Sequence, residues 1–319
     1  MRALVTGGAG FIGGHLCERL KEDGHFVTAL DAFADIPYPS EIKRSVATLL
    51  AKKKIRINGV NFTSTAGIVE ELYSNSIDTV FHLGALAGVR DSEKHPDLYK
   101  EANLLGTNNL LLAAHKAGVK RIIFASSSSV YGDREGAFKE ADELNPISVY
   151  AHTKKQGEDL CKMFHSEYKL SITALRFFTV YGPRGRPDMA VGSFIPAIAQ
   201  GNPVQVFGDG NQRRAFTYVS DIVDGILSAA EKTEGSSIFN LGNDQTVSVN
   251  RLIELICACL GKTPNIEYQP PKEGDVRQTS ANIDKARAEL GWSPKVSLED
   301  GIKKTIQWYG ENRSWYNGS

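Results

Sequence analysis

The chain has 319 residues, of which 41% are hydrophobic and 23% are charged, a composition typical of a soluble globular protein with a large core. Lys plus Arg and Asp plus Glu both number 37, so the basic excess typical of nucleic-acid or membrane-surface binding is missing. Four cysteines without CxxC spacing, and no apolar run of about 18 residues, predict a cytoplasmic protein with buried, reduced thiols, no metal site and no membrane span.

Short apolar strands alternate with amphipathic helices through the first half of the chain. The predicted strands are Ala3–Thr6, Phe26–Asp31, Ile55–Val60, Thr79–Leu83, Arg121–Ala125 and Ile172–Phe177. The predicted helices are Phe11–Glu22, Lys43–Lys52, Ile68–Ser74, Asp97–Ala117 and Tyr150–Tyr168. Alternation of this kind predicts an α/β protein with a doubly wound parallel Rossmann sheet covered on both faces.

Beyond residue 178 the alternation loosens, and Gly/Pro-rich turns appear at "GPRGRP", "FGDGNQ" and "YQPPKEGD". This change predicts a Rossmann domain over residues 1–178, joined by parts of 217–245, and a smaller α/β substrate-binding lobe mainly over 179–319. A lobe at the carboxyl edge of the sheet forms a cleft there, which is the usual ligand position.

The first strand runs into a glycine turn with GxxGxxG spacing, "GGAGFIG". Its glycines permit a tight turn, close approach of a pyrophosphate and close packing of helix on strand. An acidic residue, Asp31, ends the second strand, where it can accept both ribose hydroxyls of an adenosine and would repel a 2′-phosphate. The pattern favours NAD; the alternative is a glycine turn without a ligand. The residues predicted to contact NAD here are Gly7, Gly10, Phe11, Ile12, Gly13 and Asp31.

Tyr150 and Lys154 are spaced i, i+4 on a predicted helix, so both side chains project from one face. A neighbouring ammonium group favours the phenolate and can lower the pKa of the tyrosine. A serine run, Ser127 to Ser129, stands at the end of an earlier strand, where a hydroxyl can contact a substrate. The alternatives are a solvated helix face and a polar strand end that caps the next turn.

In combination, these motifs resemble the extended short-chain dehydrogenase/reductase family, in its nucleotide-sugar epimerase and dehydratase branch, over essentially the whole chain. "DTVFHLGALAGVRDS", "NLLGTNNLL", "FGDGNQRRAFTYVSDI" and "LGWSP" resemble further signatures of that branch. The resemblance implies further NAD contacts at Leu83, Gly84, Ala85, Asn103, Tyr150 and Lys154. It also implies a homodimer formed by the helices around Asn103–Ala117 and Tyr150–Tyr168.

The resemblance further implies a mechanism. Tyr150, as a phenolate, removes a proton from a sugar hydroxyl while NAD takes the hydride from the same carbon. Lys154 holds the cofactor ribose, and Ser127 binds the reacting oxygen, a role that Ser128 and Ser129 could share. Dehydratases and decarboxylases of the branch carry carboxyl groups where this chain has Ser128 and Ser129, so 4-epimerisation is favoured.

The stretch "RFFTVYGPRGRPDMA" resembles the glucuronate 4-epimerase subgroup, which implies UDP-glucuronate as the substrate. Arg186 then meets the C6 carboxylate, Thr179 lies nearby, and Arg184 is expected to remain surface charge. The resemblance also assigns Arg90, Arg214 and Arg277 to the nucleotide sugar. It departs from the family pattern at Asn61 and Ala215. The alternatives are a 4-epimerase of another nucleotide sugar such as UDP-glucose, a decarboxylase or dehydratase, and a non-catalytic NAD-binding regulator.

Overall fold

A computed structural model describes residues 1–60, 65–134, 136–270 and 278–316 of the chain. In chain order, its strands are β1 (Arg2–Thr6), β2 (Phe26–Asp31), β3 (Arg56–Gly59), β4 (Thr79–His82), β5 (Arg121–Ser127), β6 (Ala137–Phe138), β7 (Ser171–Phe177), β8 (Thr179–Tyr181), β9 (Val204–Phe207), β10 (Arg213–Arg214), β11 (Phe216–Tyr218), β12 (Ser236–Leu241), β13 (Val247–Ser248), β14 (Ile266–Gln269) and β15 (Gln278–Ala281).

Seven of these strands form one sheet in the order β12-β7-β5-β4-β1-β2-β3. Every neighbouring pair in the sheet is parallel. The order runs outward from β1 in both directions, so the sheet is doubly wound as predicted. The six predicted strands all belong to this sheet, and the seventh, β12, comes from a later part of the chain.

The helices are α1 (Phe11–Glu22), α2 (Ser40–Lys52), α3 (Thr65–Ser74), α4 (Val89–Lys94), α5 (Pro96–Lys100), α6 (Gly106–Lys116), α7 (Val149–Tyr168), α8 (Ala190–Gln200), α9 (Val219–Lys232), α10 (Val249–Leu260) and α11 (Leu298–Glu311). None of those in the described ranges combines the length and apolar character that crossing a membrane requires.

The predicted helix over Asp97–Ala117 is confirmed as a helical segment, but its hydrogen-bond pattern changes part-way along. The segment contains α5, a π-helical turn over Glu101–Leu105 and then α6. Within that turn Asn103 is buried and uses its amide on the backbone of Leu86 and on the hydroxyl of Thr153. A π-helical turn often marks a functional part of a helix, and here it brings a polar side chain to the segment that follows β4.

Apolar side chains form a layer on each face of the large sheet. One layer includes Leu16 of α1 and Ile226 of α9, and the other includes Leu110 of α6 and Phe164 of α7. A third cluster, which includes Ile253, lies under α8, α10 and α11. Strands covered on both faces are nearly continuous runs of Val, Ile, Leu and Ala, which explains why the sequence predicted them so directly.

The chain leaves the large sheet after β7 and returns to it at β12. Between these strands it forms α8, α9 and the short strands β8 to β11, and β8 pairs with β11. A second sheet has the order β13-β10-β15-β6, and β9 pairs with β14. Apart from α9, which packs on the large sheet, these elements form the smaller α/β part beside the Rossmann sheet. The domain limits 1–178 and 179–319 stay a prediction. Strand β12 of the large sheet does lie within residues 217–245, parts of which were predicted to join the Rossmann domain.

All four cysteines are free thiols. Cys17, Cys161 and Cys257 are buried, whereas Cys259 is partly exposed. The prediction that the thiols are buried is therefore correct for three residues and wrong for Cys259.

Candidate active site

A cleft of about 830 Å³ opens at the carboxyl ends of the sheet strands. Its walls come from the residues that follow β1, β4, β5 and β7, from the start of α7, and from the segments around β8 to β10. This is the position at which doubly wound sheets bind ligands. Most of the predicted site residues line it.

The glycine turn after β1 forms one end of the cleft. Gly7 has φ +68°, and a Cβ there would lie 2.9 Å from the Cα of Gly84. A Cβ at Gly13 would lie 2.1 Å from the carbonyl oxygen of Gly7. Only glycine fits either position without a backbone shift. Helix α1 begins next, at Phe11, and among the described residues no side chain caps its N-terminus, so its first amides are available to an anion such as a phosphate.

Asp31 stands at the end of β2, next to this turn. Its two carboxylate oxygens accept the amides of Ala9 at 3.1 Å and Phe33 at 2.9 Å. Burial raises the pKa of Asp31, whereas these hydrogen bonds and the charge of Lys43 oppose the rise. The two backbone bonds fix the carboxylate beside the glycine turn, where the ribose of an adenosine would lie.

Lys43 is a cleft residue that the sequence did not single out. It is buried, donates to the carbonyl oxygens of Ala34 and Ile36, and its Nζ lies 4.8 Å from the ring centroid of Tyr38. Burial lowers the pKa of Lys43, against the attraction of Asp31. In the sequence, Lys43 is simply a basic residue in the segment after Asp31. Nothing in that pattern predicts that its side chain is buried.

The predicted cofactor contacts after β4 divide into two groups. Leu83 and Ala85 line the cleft, and the Gly84 amide donates to the hydroxyl of Thr6 at 3.0 Å. Asn103 lies behind them, with its Oδ1 2.8 Å from the Leu86 amide. Asn103 therefore supports the segment that lines the cleft and does not itself line it.

The start of α7 is held by two hydrogen bonds to α4 and by one to its own N-cap residue, Ser148. The amides of Val149, Tyr150 and Ala151 donate to Glu93 at 2.9 Å, Ser92 at 3.1 Å and Ser148 at 3.1 Å. These bonds satisfy amides that a helix N-terminus otherwise leaves open. They also tie the backbone of Tyr150 to the segment that follows β4. The backbone from which the phenol extends into the cleft is therefore held in place.

Tyr150, Lys154 and Ser127 meet in the cleft, as predicted. Burial raises the pKa of Tyr150, whereas a hydrogen bond with Ser127 and the charge of Arg186 oppose the rise. Lys154 donates to the carbonyl oxygen of Ala125 at 2.7 Å, and its Nζ lies 6.0 Å from the Tyr150 ring centroid. Burial lowers the pKa of Lys154 to about 8. The interactions that oppose the rise in the pKa of Tyr150 thus come from Ser127 and Arg186, and the predicted effect of Lys154 on the phenol stays a prediction.

The serine run forms a tight turn at the end of β5. The hydroxyl of Ser127 accepts the Ser129 amide at 3.2 Å and donates to the Ser129 hydroxyl at 3.1 Å. Ser127, Ser128 and Ser129 all line the cleft. The hydroxyl of Ser127 thus caps the turn that follows β5, and it also interacts with Tyr150.

A buried ion pair lies behind the catalytic candidates. Arg176 of β7 donates through Nε and Nη2 to the two oxygens of Glu158 on α7, at 2.9 and 2.7 Å. Glu158 also accepts the hydroxyl of Ser126 at 2.6 Å, and Arg176 donates to that of Tyr131 at 2.8 Å. This network joins α7 to β5 and β7. It positions the helix that carries Tyr150, and sequence patterns gave no sign of it.

Thr179 and Arg186 also line the cleft. The Nε and Nη2 atoms of Arg186 donate to the two carboxylate oxygens of Asp188, at 3.0 and 2.6 Å. Nη2 also lies 3.4 Å from the carbonyl oxygen of Ala87. Burial opposes the charge of Arg186, but the hydrogen bonds and charge of Asp188 outweigh it and raise the pKa of Arg186.

The expectation that Arg184 is surface charge was wrong. Its side chain is 7% exposed and forms an ion pair with Glu18 of α1. Glu18 also pairs with Lys53 at 3.2 Å. The Gly/Pro-rich turn is therefore anchored to α1 through Arg184, and only Arg186 of the two arginines lines the cleft.

Arg90 and Arg214 also line the cleft. The guanidinium carbon of Arg90 lies 5.4 Å from the ring centroid of Phe207, so this contact bridges the segment after β4 and β9. Arg214 donates to the carbonyl oxygen of Arg213 at 2.9 Å. Two further predicted residues, Arg277 and Asn61, lie outside the described residues.

The sequence and the fold of this chain have counterparts in known proteins. The model of the "NAD dependent epimerase/dehydratase family" matches residues 3–242. The chain belongs to that family. Its cofactor is NAD, and the uncapped α1, the glycines that admit no Cβ and the fixed Asp31 carboxylate fit that group.

Three relatives cover nearly the whole chain. A UDP-glucuronate 4-epimerase of Thermodesulfobacterium geofontis is 41% identical over 315 residues, which are 97% of this chain and 96% of the relative. The structure of the UDP-glucuronic acid 4-epimerase of Bacillus cereus with UDP-glucuronic acid and NAD is 36% identical, with a TM-score of 0.92 and coverage of 98% and 99%. The protein MoeE5, solved with NAD and either UDP-glucose or UDP-glucuronic acid, is 38% identical, with a TM-score of 0.88 and coverage of 98% and 100%. The chain is accordingly an NAD-dependent isomerase of the nucleotide-sugar epimerase kind.

Proposed function

We propose that the protein interconverts UDP-glucuronate and UDP-galacturonate through a transient 4-keto sugar. The observation that most favours this substrate is the position of the Arg186 guanidinium. It shares the cleft with Tyr150 and lowers the pKa of the Tyr150 phenol against the effect of burial. Arginine pairs with carboxylates through charge-assisted, often bidentate hydrogen bonds. A C6 carboxylate at Arg186 brings the neighbouring C4 to the side of the cleft that holds Tyr150. The names of the relatives support the same assignment.

In this proposal Tyr150 moves the proton. Its phenolate accepts the proton of the C4 hydroxyl, and Ser127 donates a hydrogen bond to the same oxygen, which continues the Ser127–Tyr150 interaction. Bound NAD supplies the site that takes the C4 hydride and gives it back. After the 4-keto sugar has rotated to present its other face, Tyr150 returns its proton to the C4 oxygen. Lys154, fixed at the end of β5 by Ala125, keeps a positive charge close to the phenolate.

The polar groups around C4 favour epimerisation over loss of water or CO₂. Ser128 and Ser129 stand where related lyases carry carboxyl groups, and hydroxyl groups are weak acids and bases. A 4-keto uronate is a β-keto acid, which loses CO₂ most easily when the bond to the carboxylate aligns with the ketone π system. Arg186 and Thr179 would hold the carboxylate in the ring plane and so suppress that loss. In Arg186→Ala, unchanged uronate affinity together with no pentose by-product would contradict this role.

The test is to incubate the protein with UDP-glucuronate and catalytic NAD and to follow the sugar by NMR. We expect UDP-galacturonate to form without net NADH, and Tyr150→Phe to abolish its formation while NAD stays bound. A UDP-pentose with CO₂ would instead indicate a lyase. If no sugar nucleotide is turned over, the protein is a regulator that binds NAD.

A homodimer is part of the proposal. Leu98, Leu105, Met163 and Tyr168 are large apolar side chains on the helices around α5 and α7, and each is 39% to 47% exposed. Apolar patches of this kind commonly mark protein interfaces. Light scattering would give the mass, and we expect Leu105→Glu to produce monomers. A monomeric wild-type protein would contradict the dimer.

A further inference from the structure

The partner of Arg186 is a carboxylate that belongs to the chain itself. Asp188 meets Arg186 through two parallel hydrogen bonds, Nε to Oδ1 and Nη2 to Oδ2. This is the bidentate geometry in which arginine recognises any carboxylate. A sugar carboxylate at Arg186 therefore meets a guanidinium group that already has an anionic partner.

Backbone hydrogen bonds hold the turn that carries the two residues. The Gly185 amide donates to the Gly182 carbonyl at 3.0 Å, and the Met189 amide donates to the Arg186 carbonyl at 3.2 Å. The start of α8 packs against the same carbonyl, since a Cβ at Gly192 would lie 2.1 Å from it. The backbone thus keeps Asp188 within reach of Arg186.

Both side chains face the cleft and differ in their exposure. The Arg186 side chain is 17% exposed and that of Asp188 is 35% exposed. A guanidinium group this far buried is costly to cover with a neutral ligand, because the ligand removes its water without replacing the charge. With Asp188 in place the guanidinium keeps its counter-ion when a neutral ligand covers it.

We propose that Asp188 is a specificity-determining residue, an internal counter-ion that lets the cleft accept a UDP-hexose with an uncharged hydroxymethyl group at C6 beside the uronate. The inference rests on the proposed function, because it takes Arg186 as the residue that faces C6. A neutral sugar leaves the Arg186–Asp188 pair intact. A uronate brings a second carboxylate to the same guanidinium, next to the charge of Asp188, which weakens its attraction. Asp188 thus reduces the preference for the uronate in two ways: it helps the neutral sugar to bind, and it weakens the binding of the uronate.

The test compares Asp188→Asn with the wild type on UDP-glucuronate and UDP-glucose. Asn keeps the size of the side chain and removes its charge. We expect the wild type to bind and epimerise both sugars. In the variant we expect the ratio of kcat/KM for UDP-glucuronate to that for UDP-glucose to rise about tenfold or more, since the neutral sugar then covers a guanidinium without a counter-ion. Dissociation constants of both sugars on NAD-loaded protein should shift in the same ratio.

The control is Asp23→Asn, which removes the carboxylate from another Arg–Asp pair, at Arg19, outside the cleft. Its ratio should equal that of the wild type. The ratio is measured on one preparation, so a fraction of inactive protein cancels, and thermal unfolding with NAD checks the fold. An unchanged ratio in Asp188→Asn, or weaker uronate binding with neutral-sugar binding unchanged, would overturn the counter-ion role. A wild type that epimerises UDP-glucose and not UDP-glucuronate would instead contradict the proposed function.

Discussion

Helix α7 is fixed to the sheet by the ion pair between Glu158 and Arg176, and this pair offers a sharp test of what positions Tyr150. The Arg176 and Glu158 side chains are 2% and 1% exposed, with nitrogen–oxygen distances of 2.9 and 2.7 Å. Removing one partner of a buried pair leaves the other charge without compensation, which costs about 3–5 kcal/mol. We therefore expect Glu158→Gln to lower the free energy of unfolding by that amount, and Arg176→Met to do the same.

The double variant separates this effect from a loss of packing. With both Glu158→Gln and Arg176→Met present, no charge is left buried at this place, so the loss should stay well below the sum of the two single losses. The matched control is Asp159→Asn, which breaks an exposed pair with Lys155 on the same helix and should cost less than about 1 kcal/mol.

The assay is urea unfolding followed by tryptophan fluorescence at one fixed NAD concentration, because bound ligand adds to the apparent stability. The kcat of each variant is measured on the same samples, and we expect it to fall in the single variants, since α7 carries Tyr150 and Lys154. Single losses as small as that of Asp159→Asn, or losses that add within about 0.5 kcal/mol in the double variant, would refute the reasoning.

Three further predictions concern stability and the cofactor. His82 is buried with its pKa lowered to about 3, so below about pH 6.5 the unfolded chain binds a proton that the folded protein does not. The free energy of unfolding should then fall by about 1.4 kcal/mol for each pH unit of acidification because of His82. In His82→Gln, urea titrations between about pH 6 and pH 4 should no longer show this contribution. Because burial raises the pKa of Asp31 and NAD needs its ionised carboxylate, NAD should bind more weakly in acid, starting at a higher pH than an ordinary aspartate would give. Fluorescence titration at several pH values should show this loss, and Asp31→Asn should remove it. Arg184→Met should lower the melting temperature by breaking the pair with Glu18 and leave the ratio of the two sugar activities unchanged, whereas Arg186→Ala should change that ratio.

The parts of the molecule that sequence patterns predicted are those that local chemistry determines. The strands of the sheet are apolar runs between turn signals, and α1 was predicted with its exact bounds, Phe11–Glu22, because the glycine turn marks its start. Tyr150 and Lys154 share a face of α7 because of their spacing alone. These features need no knowledge of distant residues.

The parts that were missed depend on contacts between residues far apart in the chain. Arg184 seemed exposed because Gly and Pro surround it, but its partner Glu18 lies on the first helix. The turn at Glu101–Leu105 carries no Gly or Pro, and its Asn103 contacts only become visible in three dimensions. Asp188 lies close to Arg186 in sequence, yet spacing alone does not give the orientation of two side chains on a turn.

The return of the chain to the sheet at β12 has a consequence for synthesis on the ribosome. Strands β1 to β5 and β7 are made first, and β7 pairs with β5 on one side. Its other side lacks a partner until Ser236–Leu241 has emerged and added β12. In that interval β7 is an open sheet edge able to pair with another chain. The segment that gives the enzyme Thr179, Arg186 and Arg214 therefore also lengthens the time during which the nascent protein can aggregate.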